Sequence, residues 1–170
     1  MRYIIKNTAR IAFVAALALS TTSCEDFLDL QPKDARVESN FYQTESDALE
    51  ALVSIYDVLQ WNTVIGFHPT PMFMDIASDD AFAGGASRTD APNIIEVDMH
   101  NIRTTNPEIQ GMWRKHFIGI YRANLLLEKI DGVNASQEFK DKISAEAKFL
   151  RAHFYLDLAR MYENVPLVLN

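Results

Sequence analysis

Ile11 to Leu19 is an uninterrupted apolar run, IAFVAALAL, preceded by three cations, Arg2, Lys6 and Arg10, and no acid. It is too short to span a bilayer, which takes about 20 apolar residues, and has the build of a secretory signal. Downstream, Leu49, Leu52, Val53, Tyr56 and Leu59 recur at helical spacing while Asp47, Glu50, Ser54 and Asp57 take the other side. This predicts a helix from about Ser46 to Trp61, with Thr44 and Asp47 as a capping box. Asn106-Pro107-Glu108 starts a second helix by N-cap, proline at the first position and first-turn acid. Ile109, Met112, Trp113, Phe117, Ile120 and Tyr121 give it one face, it runs to about Ile130, and Asp131-Gly132 ends it.

Ser136 caps a last helix in which Phe139, Ile143, Ala147, Leu150, Phe154 and Leu158 repeat every three or four residues. Phe149, Leu156 and Met161 widen its apolar surface, so it is built to be covered on two sides and to expose apolar surface where cover is missing. The short connection makes the last two helices an antiparallel αα-hairpin. Between Asn62 and Thr105 no period is sustained, and Pro69, Pro71, Gly84, Gly85 and Pro92 punctuate the segment. A short helix near Met72 to Ala77 and a short extended piece at Ile94 to Val97 fit inside it. A long irregular insertion of this kind is where ligand contacts are expected.

Six glycines and six prolines are few, which favours helix over a turn-rich β fold. A net charge of −7 with no basic cluster argues against nucleic acid and against binding an anionic membrane surface by charge. The chain has one cysteine, Cys24, just after Ser20-Thr21-Thr22-Ser23. Small residues before a cut and a thiol after it are what lipoprotein processing uses. Residues 1–23 therefore read as a lipoprotein signal peptide and Cys24 as the acylated residue, although Thr21 stands where such a signal usually has Leu. Two or more acyl chains on one cysteine hold a protein stably on a bilayer. Acylation leaves no thiol for disulfides, metals or nucleophilic attack. Residues 24–38, with Phe27, Leu28, Leu30 and Pro32, read as an extended segment leaving the anchor.

Three segments together resemble the RagB/SusD family of nutrient-uptake lipoproteins. They are Cys24-Glu25-Asp26-Phe27-Leu28-Asp29, the helix from Trp113 through Tyr121-Arg122-Ala123-Asn124, and Ala145 through Tyr155 followed by Leu158, Tyr162 and Val165-Pro166-Leu167. The resemblance implies a mainly α fold of tetratricopeptide-like helix pairs carrying a long irregular loop insertion. It implies a surface lipoprotein of the outer membrane that binds oligosaccharide or other nutrient and passes it to a SusC-like TonB-dependent transporter, without catalysis or cofactor. Glu25 and Asp26 resemble the surface-export signal of such lipoproteins. Family members are several times longer, so residues 39–170 are expected to be a truncated N-terminal helical domain with an incomplete superhelix. A helical lipoprotein adaptor that binds proteins and no nutrient is the alternative.

Sugars have an apolar face and a polar rim, so their sites combine an aromatic ring with amides or carboxylates. Trp61, Phe73, Asp79, Asp80 and Phe82 are the candidate ligand contacts, with Phe67, Asn93 and Asn101 behind them. Asp75, Asp79 and Asp80 lack the alternating ligands, glycine and distal Glu of a calcium loop. His68, His100, His116 and His153 show no metal-binding spacing. No pair among the 23 acids is marked as glycosidic, and no nucleophile or phosphate-loop motif occurs, so no catalytic or metal residue is named. Asn124 and Arg151, in apolar stretches, are expected to be structural, Asn124 clamping a neighbouring helix and Arg151 paired with Glu128 or Glu146.

Overall fold

The computed structural model describes residues 41–61, 70–87 and 89–170, with Pro71 and Met72 described in backbone alone. The expected signal segment, Cys24, residues 24–38, Phe67 and His68 lie outside the described residues. The ordered elements are α1 (Glu45–Leu59), α2 (Thr70–Ile76), α3 (Pro92–Asp98), α4 (Pro107–Lys129), a 3-10 turn (Ile130–Gly132) and α5 (Gln137–Tyr162). Among the described residues the regular structure is helical, apart from one parallel bridge between Thr44 and Asn134. None of these helices is long and apolar enough to cross a membrane.

Each long helix begins where its cap demands. Thr44 accepts from Asp47 N while Asp47 Oδ2 accepts from Thr44 N at 2.8 Å, the reciprocal box. Asn106 Oδ1 accepts from Glu108 N at 3.0 Å, and Ser136 Oγ accepts from Phe139 N at 3.2 Å. Asn106 is fully buried, and its amide donates to Asn93 O and Glu96 Oε2, both at 2.9 Å, tying α3 to the start of α4. Gly132 is not in the left-handed region, because α4 runs on through Ile130 into the 3-10 turn and needs no glycine cap.

The main core lies between α1, α4 and α5, with Ile55, Val58, Ile120, Leu126, Ile143, Leu150, Phe154 and Leu158 buried in it. Each such side chain contributes about 1.5–3 kcal/mol of burial. The buried face of α1 is Ala48, Ala51, Leu52, Ile55 and Val58; of the expected face only Leu52 is buried, and Leu49, Val53, Tyr56 and Leu59 are exposed. Both faces carry apolar residues at helical spacing, and the one with two alanines lets the partner helices come close. On α4, Trp113 and Tyr121 likewise turn outward, while Lys115 and His116 turn in.

Gly119 marks a close crossing of α4 and α5. A methyl group there would run into the Phe154 ring edge, so the helices meet over the bare backbone. On α5 the predicted repeat is buried as expected, with Phe139 half-buried. Phe149 is 72% exposed and Leu156 53%, so the second apolar face of α5 lies uncovered among the described residues.

A smaller core of Phe73, Ile76, Ile94, Val97 and Met112 seats α2 and α3 on α4. Residues 94–97 are helical, not extended. Pro92 starts the helix, and the three-residue interval places Ile94 and Val97 on one buried side. Arg151 also differs from expectation. Its guanidinium donates to Asn124 Oδ1 at 2.7 Å rather than to Glu128 or Glu146, and Glu146 accepts from Tyr56 OH instead.

Candidate functional site

A cavity of about 850 Å³ opens among α2, α4 and the second half of α5. Phe73, Met74, Val97, Ile109, Phe154 and Met161 supply apolar wall, and Asp75, Lys115, His116, His153, Asp157 and Arg160 supply polar atoms. Lys115 is only 5% exposed. Its ammonium donates to Trp61 O at 2.6 Å, Leu59 O at 3.2 Å and Thr70 Oγ1 at 3.3 Å, which joins the end of α1 to the start of α2. Burial holds it below the usual lysine range, against the pull of the Asp157 charge.

Asp157 is 7% exposed and stands in the α5 repeat three residues after Phe154. Its Oδ2 lies 3.3 Å from His116 Nε2 and 3.6 Å from His153 Nε2. The other nitrogen of His116, Nδ1, lies 2.7 Å from Met112 O, so the ring is held at both ends. Burial works to raise the Asp157 carboxyl. The His116 hydrogen bond and the charges of His153, His116 and Arg160 outweigh it and hold the group below the usual carboxylate range.

A second feature is the segment between α2 and α3. Ser78 Oγ donates to Asp75 O at 2.7 Å and accepts from Asp80 N at 3.1 Å, turning the chain away from α2. Asp98 accepts from Ala83 N at 3.3 Å, and Asp90 accepts from Ala86 N at 2.6 Å. Gly85 sits so close to Asp90 that a side chain there would collide with it. On this anchored loop Phe82 is 84% exposed, beside exposed Asp79 and Asp80.

The predicted contacts therefore separate. Phe73 is buried in the smaller core and lines the cavity, and Asp79, Asp80 and Phe82 stand on the loop. Trp61 donates its indole N–H to Asp57 at 2.7 Å, and the Arg122 guanidinium lies 4.8 Å from its ring centroid. Asn93 is half-buried and gives its carbonyl to Asn106, and Asn101 is exposed. Lys115, Asp157 and Arg160 are not singled out by the sequence pattern, and His116 is weighed there only as a metal ligand. For Lys115, His116 and Asp157 the signal is polarity at core positions of two apolar helices, and Arg160 is exposed and carries no such signal. Among the described residues no cluster of three or more metal-ligating side chains occurs.

Residues 26–170 match the SusD-like family described as "Starch-binding associating with outer membrane". Two SusD-like proteins of Formosa agariphila align with the chain. One is 29% identical over 154 residues, covering 88% of this chain and 29% of its own; the other is 27% identical over 160 residues, covering 92% and 30%. A solved laminarin-binding SusD-like protein superposes with a TM-score of 0.68 at 36% identity, over 75% of this chain and 27% of that one. The chain thus spans about three tenths of the length of these relatives.

Proposed function

Because the chain belongs to the SusD-like family, we propose that it is a glycan-binding protein of the outer membrane, anchored through Cys24 and handing its ligand to a SusC-like TonB-dependent transporter. The observation that carries this reading is the match over residues 26–170, supported by structural likeness to a laminarin-binding protein. The loop carrying Phe82 supplies chemistry that fits. An aromatic ring in solvent, on a backbone held by Asp90 and Asp98, stacks on the apolar face of a pyranose, and Asp79 and Asp80 accept from its hydroxyls. Holding the ligand requires no bond to be made or broken, so this reading assigns no catalytic residue.

One observation favours the adaptor reading, the uncovered Phe149 and Leu156 on α5. Hydrogen exchange separates the two. Laminari-oligosaccharide slows exchange across residues 77–105 if the loop holds glycan. Unchanged exchange there with every glucan tried, together with a protein partner protecting α5, gives the adaptor instead.

A further inference from the structure

Two polar groups on one wall of the cavity keep hydrogen-bonding capacity that the scaffold leaves open. Asp157 Oδ2 takes both histidines, whereas Oδ1 has no hydrogen-bond partner among the described residues although the side chain is buried. Arg160, three residues on, lines the same cavity, and its guanidinium is hydrogen-bonded to no described residue. An unsatisfied buried acceptor is destabilising, a cost that a ligand donor removes. The three-residue interval puts the two groups about one helical turn apart on one side of α5.

Their demands are opposite. Oδ1 needs a donor, and the Arg160 fork needs an acceptor, best of all a planar carboxylate. Apolar walls at Phe73, Met74 and Met161 leave room between for the face of a ring. A sugar ring with a hydroxyl and a carboxylate on its edge supplies all three. Charge favours the acid over a neutral or amino sugar. Lys115 has three acceptors of its own, and Asp157 Oδ2 takes His116 and His153, so Arg160 is the cation of the lining that no described residue hydrogen-bonds, with Asp75 the remaining acid. An amino sugar would set a cation against Arg160.

We propose that this cavity is a subsite for a uronic acid residue, its carboxylate on Arg160 and a ring hydroxyl on Asp157 Oδ1, an assignment that rests on the glycan-binding reading above. The test compares a glucuronic acid-terminated laminari-oligosaccharide with its carboxyl-reduced counterpart by calorimetry at pH 7, on the intact protein and on Arg160→Gln. The acid binds about tenfold tighter than the reduced sugar, as expected for a charge-assisted contact at a partly open site, and Arg160→Gln closes that gap. Equal affinity for the two sugars, or a gap that survives Arg160→Gln, overturns the subsite and leaves glycan binding standing. No binding of either sugar overturns both readings.

Discussion

Arg151 donates to Asn124 Oδ1 at 2.7 Å, a polar pair that joins α4 to α5 and turns the Asn124 amide toward the chain beyond α5. That amide donates to Val168 O at 3.0 Å. Tyr155 closes the other side, its OH donating to Val168 O at 2.8 Å and accepting from Val168 N at 2.7 Å. Asn124, Arg151 and Tyr155 thus grip a backbone unit, a role independent of the side chain at position 168. Asn124→Ala removes one donor and one acceptor and lowers stability by about 1–2 kcal/mol. Amide exchange at Val168 and Leu169 then accelerates selectively; unchanged exchange there would show that the grip is not needed.

Gly119→Ala tests the close crossing of α4 and α5. The added methyl drives into the Phe154 ring, and overpacking of this kind costs about 1–3 kcal/mol. Trimming the ring in Gly119→Ala/Phe154→Leu recovers part of the loss. Denaturant midpoints for the two variants decide it, and strictly additive losses would place the strain elsewhere.

Lys115→Met tests whether the buried ammonium is structural. The substitution removes a desolvated charge but strands Leu59 O, Trp61 O and Thr70 Oγ1. We expect a net loss of about 2 kcal/mol, since unsatisfied buried acceptors outweigh the relief. An equal or higher unfolding temperature would mean that the three bonds contribute little.

Asp157 sets an acid limit. Its folded carboxyl titrates below the unfolded value of about 3.9, so its stabilisation is complete above that pH and is lost as pH falls through the lower folded value. Thermal unfolding followed from pH 7 to pH 2 is expected to show this loss below about pH 4. Asp157→Asn is less stable at pH 7 and lacks that component of the acid fall. Parallel profiles for the two proteins would remove Asp157 from the account.

The helix starts were legible because capping is local: Thr44, Asn106 and Ser136 sit beside the groups they satisfy. The outward face of α1 was not, because Leu49, Val53 and Tyr56 have the same spacing as the residues that pack, and only the partner helices choose between them. Ile94 to Val97 looked extended from its β-branched residues, and tertiary burial made it a helix. Phe82 was legible as an aromatic in an aperiodic segment. The cavity was not, because Lys115 and His116 meet Asp157 only when α4 and α5 are folded together.

Glycan binding at the Phe82 loop is the claim most directly open to measurement, by titrating laminari-oligosaccharide into the protein and into Phe82→Ala. The ring is 84% exposed, so its removal leaves the unfolding temperature unchanged while taking away a stacking contact. The account predicts saturable binding by the parent, weakened about tenfold in Phe82→Ala. No binding of any glucan by the parent, or undiminished binding by Phe82→Ala, would contradict it.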